Sequence, residues 1–322
     1  MKKWMHRGMS MVLVLLMLSS LFTFSAFADE TETVPEETGF TVDTESAVYA
    51  AFDEAAKSLS ARQILVYDST NDEVLYVKAP EGGKLYPASV TKLFTCYAAL
   101  QVLDPSKVVT AGKELELVAE DSSKAYIYRK QQVTVKMLVG GMMMPSGNDA
   151  AMIMAAAAGR KVAGNSHLGA EEAVQAFVAE MNRQAEELGF EKTHFTNPDG
   201  YHVGSHYTCI TDLVRMAELA LGNDIIRRYM GYYGLNLTYV SGQSNTWTNT
   251  NQLLNKNSEF YCEDAIGMKT GHTNQAGHCL MSAFEIGDKT IVIGVFGSND
   301  KNTRFSDSIV LRNVYKQVVG VG

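Results

Sequence analysis

The chain has 322 residues, 46% of them hydrophobic, which is enough to bury a sizeable core in one large domain or two closely packed lobes. A net charge of −8, with no basic run beyond the first residues, argues against a nucleic-acid partner and against a helix drawn to anionic membranes. Cys96, Cys209, Cys262 and Cys279 lack Cys-x-x-Cys spacing and give a zinc site no support.

Lys2, Lys3 and Arg7 precede an apolar run from Met9 to Phe24, which Ala26-Phe27-Ala28 closes. This pattern predicts a secretory signal over residues 1–28, cleaved after Ala28; the alternative is an uncleaved anchor helix, for which the apolar run is slightly short. Residues 29–45 are rich in Asp, Glu and Thr and poor in bulky apolar side chains, as in a flexible linker. The folded part is then residues 46–322. An exported chain could pair its cysteines, but Cys96 lies in a helical pattern and Cys279 in a strand-like one, so both are expected to be buried free thiols.

Ile64–Tyr67 and Val74–Val77 flank the turn formers Asp68 to Asp72 and predict a hairpin. Beyond Glu81-Gly82-Gly83, the apolar spacing from Thr91 to Leu103 predicts a buried helix that the Ser89 segment opens. Lys136–Met144 and Asn148–Ala157 read as two helices joined by a turn at Ser146-Gly147, and Glu171–Leu188 as an amphipathic outer helix. Gly267–Thr270, Cys279–Phe284 and Thr290–Phe296 predict an antiparallel meander, which a terminal helix over Arg304–Val318 would cover. Strands at both ends with helices between them imply an α+β fold, in which an antiparallel sheet is flanked by helices and carries an inserted helical lobe.

Three motifs carry the chemistry: Ser89-Val90-Thr91-Lys92, Ser146-Gly147-Asn148 and Lys269-Thr270-Gly271. Helical spacing lets Lys92 reach back to Ser89, and burial beside a second cation, Lys269, would lower its pKa enough for it to act as a base. Ser146 has the chemistry to pass a proton to a leaving amine, and Asn148 can offer its amide to a substrate backbone. Gly271 would let a ligand backbone approach the strand closely. Singly, each motif has a bland reading: a helix N-cap, a helix-helix turn, and an edge strand with a protective lysine.

Together these motifs, in the wider stretches Tyr86–Lys92, Ser146–Ala150 and Lys269–Thr273 with Ala276-Gly277, resemble the serine D-alanyl-D-alanine carboxypeptidases, the low-molecular-mass penicillin-binding proteins. Phe195-Thr196-Asn197-Pro198-Asp199-Gly200 and His206-Tyr207 extend the resemblance. It implies a β-lactamase/transpeptidase-like fold and an acyl-enzyme on Ser89, with Lys92 as base and Ser146 as proton relay. Its further implications are an oxyanion hole from the backbone N–H groups of Ser89 and His272, and a carboxylate site from Thr270, Lys269 and Arg304. The implied partners are a peptidoglycan stem peptide ending in D-Ala-D-Ala and β-lactam inhibitors, with no cofactor or metal, in an extracytoplasmic, secreted or wall-associated bacterial protein. Many members of that family continue into a β-rich domain and a membrane anchor; the chain ending at Gly322 leads to the expectation of neither here, unless the signal is retained.

Three rivals remain. A class A β-lactamase needs a Glu-x-x-x-Asn loop, and the stretch around Glu180, Asn182, Glu186 and Glu187 reads as helix instead. A zinc peptidase would rest on His202 and His206 with His194 nearby, a weak pattern without the intervening Glu. A wall-binding homologue without catalysis would be expected to have lost part of a set that is complete here. The polar stretch Gly242–Trp247 reads as a surface excursion of unassigned role.

Overall fold

A computed structural model of the chain describes residues 41–79 and 83–320. The signal and most of the linker lie outside these residues, as do Glu81 and Gly82. Val42 already packs against the core, so ordered packing begins within the segment read as linker.

Ser46 caps α1 (Ala47–Ala56) through its hydroxyl, which accepts from the Tyr49 amide at 3.0 Å. The hairpin β1 (Gln63–Asp68) and β2 (Glu73–Lys78) turns at Asp68, whose carboxylate accepts the Thr70 and Asn71 amides. The short β3 (Lys84–Leu85) leads through a single tight turn at Ala88–Val90 into α2 (Thr91–Val102). Next come β4 (Val108–Thr110), β5 (Gln132–Thr134), α3 (Val135–Met143), α4 (Asn148–Val162) and α5 (Ala170–Glu187). They are followed by β6 (Thr208–Cys209), α6 (Ile210–Leu221), α7 (Asp224–Gly231) and the hairpin β7 (Gly234–Thr238) and β8 (Ser244–Thr248). The chain ends with β9 (Ala265–Thr273), β10 (Gly277–Ile286), β11 (Lys289–Ser298) and α8 (Thr303–Val318).

The main sheet has the order β2-β1-β11-β10-β9, every pair antiparallel, so the N-terminal hairpin joins the C-terminal meander as the sequence predicts. Both faces are buried. Leu65, Tyr67, Met281 and Val292 face the helical lobe, while Ile64, Val66, Phe284 and Ile293 face α1 and α8. Double burial explains why β11 reads as a continuous apolar run and does not alternate with polar residues. All four cysteines are free and buried.

The segment 242–247 departs from its reading as a polar excursion. Asn245 and Trp247 of β8 face inward, and Trp247 is only 2% exposed. Its indole N–H donates to the Ala125 carbonyl at 2.9 Å, and the Asn245 amide donates to the same oxygen at 2.9 Å. One apolar residue among five polar ones carries too little periodic signal to announce this packing.

Candidate active site

Ser89 sits in the tight turn ahead of α2, between Ala88 at φ +47° and Val90. A positive φ at alanine costs energy, and the surroundings hold it there. Gly271 of β9 packs against this turn. A Cβ at that position would lie 3.1 Å from the Ala88 Cβ and the Pro87 carbonyl and 3.2 Å from the Ser89 nitrogen. The glycine therefore admits the protein's own backbone, and it also borders the cavity that Ser89 lines; the result brings the Ser89 amide beside the strand that carries His272.

Lys92, the second residue of α2 and one turn beyond Ser89, is fully buried. Its Nζ lies 2.8 Å from Ser89 Oγ, 2.8 Å from Asn148 Oδ1 and 2.7 Å from the Asp199 carbonyl. Burial lowers its pKa to about 8, against an opposing pull from Asp199, Cys96 and Asp149. Lys269 is also fully buried, and burial followed by repulsion from Lys92 and Arg304 holds it well below the ordinary lysine value. Burial thus lowers the Lys92 pKa as expected, whereas the repulsion between the two cations falls chiefly on Lys269. A buried Lys269 also removes the reading of a protective edge lysine.

Asn148 opens α4, and its Oδ1 is taken by Lys92, which leaves the amide hydrogens for the cavity. Ser146 stands at φ +62° and is buried, on the wall of the cavity that Ser89 lines. Among the described residues its hydroxyl makes no hydrogen bond to Ser89 or Lys92. The Lys269 ammonium donates to the Thr270 carbonyl at 2.9 Å, and the Thr270 hydroxyl pairs with that of Thr250 at 2.6 Å. Arg304, in the first turn of α8, donates to the Gly271 carbonyl at 3.0 Å, and burial lowers its pKa to about 10. Its Nε is buried without a hydrogen-bond partner. His272 is exposed at the rim, stacked on His278 with ring centroids 4.2 Å apart.

Ser89, Ser146, Asn148, Thr270, Gly271, His272 and Arg304 all border one cavity of about 500 Å³ between the sheet edge and the helical lobe; Lys92 and Lys269 lie just beneath. All nine predicted site residues therefore converge.

Several contributors were not anticipated. Asp199 supplies the carbonyl that holds Lys92. Its loop is pinned by His206, whose Nδ1 accepts the Thr196 amide at 3.1 Å and whose Nε2 therefore donates to the Thr91 hydroxyl at 2.8 Å. Burial lowers the His206 pKa to about 3, so the ring is neutral and this arrangement is fixed. With both ring nitrogens engaged, His206 serves the loop; His202 stacks edge-on against Tyr86, and His194 pairs with the Ser205 carbonyl. Asp149 accepts the Ala125 and Ile127 amides at 2.7 and 3.0 Å, and Asn148 donates its backbone N–H to the Ser123 carbonyl. Glu180 lies within α5, paired with Arg183 and remote from the cavity lining. Asp149 belongs to the Ser146–Ala150 stretch, and Asp199 and His206 to the segments that extend the resemblance, but the sequence reading gave none of them a positioning role.

A family model described as D-alanyl-D-alanine carboxypeptidase matches residues 50–300. The D-alanyl-D-alanine carboxypeptidase DacF of Bacillus subtilis is 30% identical over 247 residues, covering 76% of this chain and 59% of the relative; the chain thus spans about three fifths of that protein's length. A D-alanyl-D-alanine carboxypeptidase of Streptomyces sp. K15 is 32% identical over 248 residues, covering 74% of this chain and 81% of the relative. The crystal structure of the Streptomyces K15 DD-transpeptidase superposes with a TM-score of 0.70 at 30% identity, covering 80% of this chain and 97% of that one.

Proposed function

Because the chain belongs to the D-alanyl-D-alanine carboxypeptidase family, we propose that it removes the terminal D-Ala from peptidoglycan stem peptides through an acyl-enzyme on Ser89, and that β-lactams acylate the same serine. The observation that carries this reading is the 2.8 Å contact between Ser89 Oγ and the fully buried Nζ of Lys92 at the floor of the cavity.

In this scheme Ser89 Oγ attacks the penultimate D-Ala carbonyl as its proton passes to neutral Lys92. The oxyanion forms between the backbone N–H groups of Ser89 and His272. Ser146 relays the proton to the leaving D-Ala nitrogen and the C–N bond breaks. Water, deprotonated by Lys92, then cleaves the ester and restores Ser89. Asn148 orients the substrate backbone, and Thr270, supported by Lys269 and Arg304, receives the terminal carboxylate. Residues 1–28 are an export leader and 29–45 a tether in this reading, with the acylating domain over 46–322 placed outside the cytoplasm, secreted or associated with the wall.

The test is D-Ala release from diacetyl-L-Lys-D-Ala-D-Ala by residues 29–322. Release that disappears in Ser89→Ala supports the proposal, and release unchanged in that variant contradicts it.

A further inference from the structure

A second cavity, of about 450 Å³, adjoins the first and shares Gln275 with it. Its charged lining residues are Arg62 and Lys84, with Tyr86 and Tyr207 beside them and no carboxylate among the described residues. Arg62 is engaged, since its guanidinium donates to the carbonyls of Gln275 and Ala276 at 3.3 and 3.1 Å and so fixes the β9–β10 turn. Lys84 is exposed, and its Nζ lies 3.9 Å over the Tyr207 ring with no acidic partner among the described residues. The Tyr86–His202 contact, edge to face at 4.7 Å, stands between the two cavities.

The direction of β9 says what reaches this place. In the carboxypeptidase reading above, with the terminal carboxylate at Thr270 and the reacting carbonyl beside His272, the substrate upstream of the scissile bond would run past Thr273, Asn274 and Gln275. Two residues of extended chain cover about 7 Å, enough to pass Thr273 and reach the turn that follows it. A group two residues upstream of the reacting carbonyl therefore arrives at the turn that both cavities share.

We propose that this second cavity is a subsite for a carboxylate carried by the stem peptide about two residues upstream of its D-Ala-D-Ala end, with Lys84 as the charge that selects it. The subsite rests on the carboxypeptidase reading above. It deepens that reading by assigning the enzyme a preference for stems whose upstream acid is free over those in which it is amidated.

The test compares three peptides: acetyl-γ-D-Glu-L-Lys-D-Ala-D-Ala with a free α-carboxylate, the same peptide amidated there, and diacetyl-L-Lys-D-Ala-D-Ala. The free acid is expected to exceed the amide by about fivefold in kcat/KM, the scale of a partly exposed ion pair, mainly through KM. Lys84→Gln should abolish that difference and leave the diacetyl tripeptide unchanged, and Lys84→Glu should favour the amide. Equal kcat/KM for acid and amide in the unmodified enzyme would overturn the subsite while D-Ala release from the tripeptide kept the carboxypeptidase reading standing. Inhibition of tripeptide turnover by short poly(glycerol phosphate), relieved by Lys84→Gln with no acid-amide difference, would assign the cavity to a separate phosphate polymer and overturn the subsite. No release from any of the three peptides would overturn both.

Discussion

At the scale of single residues, the site is a problem in keeping two ammonium groups close together and dry. Burial brings Lys92 to a pKa of about 8, so near neutral pH a minority of molecules carry the free base and the fraction rises about tenfold per pH unit below that value. The predicted consequence is that the rate of penicillin acylation climbs from pH 6 and levels above about pH 8. A flat profile across that range would remove Lys92 as the titrating base. Lys92→Met should cut acylation by at least a thousandfold on the same argument, since a thioether accepts no proton. Thr270→Val leaves the strand intact and removes a hydroxyl that pairs with Thr250; it should weaken turnover of peptides ending in a free carboxylate about tenfold more than their amides. Equal losses would dissociate Thr270 from the carboxylate. These residues were legible in the sequence because each motif supplies a reactive group, its partner and their spacing within a few positions. The cause of the Lys92 shift was legible in part: burial was expected, but the second cation, expected to act on Lys92, is itself the group that the repulsion shifts.

At the scale of elements, the site depends on two loops, and each is held from a distance. The Asp199 loop packs so closely against the Ser89 turn that a Cβ on Gly200, at φ +78°, would lie 1.9 Å from the Ala88 carbonyl. Gly200→Ala should therefore move the Asp199 carbonyl off Lys92 and depress acylation while circular dichroism stays native-like; unchanged acylation would show that this loop does not position the base. The loop over residues 123–127 is gripped by Asn148 and Asp149 on one side and by Trp247 and Asn245 on the other. Trp247→Ala should cost about 3–5 kcal/mol in urea unfolding, because it opens a large cavity and removes one of the two donors to the Ala125 carbonyl, leaving Asn245 as the other. A loss under about 1 kcal/mol would contradict the β7–β8 hairpin as a support of the site. The helices around the motifs were readable from their apolar spacing, whereas α1, α6, α7 and this hairpin were not assigned. In the hairpin only Trp247 is fully buried, so its pattern resembles a polar loop.

At the scale of the whole molecule, the fold brings together three motifs that lie far apart in the chain. The meander β9–β11 binds the N-terminal hairpin, so Lys269 lies on a sheet that takes strands from both ends of the chain. The sequence announced that architecture through its order of strands, helices and strands, and through apolar runs that suit a sheet buried on both faces. The second cavity was invisible at that stage, because Arg62, Lys84, Tyr207 and Gln275 belong to four separate segments. In the proposed reaction this assembly makes Ser89 a nucleophile. That role is tested most directly by intact-mass spectrometry of residues 29–322 mixed with penicillin, followed by peptide mapping. One penicilloyl group per chain is expected, located on Ser89 and absent from Ser89→Ala; an unmodified chain, or an adduct on any other residue, would overturn the role of Ser89.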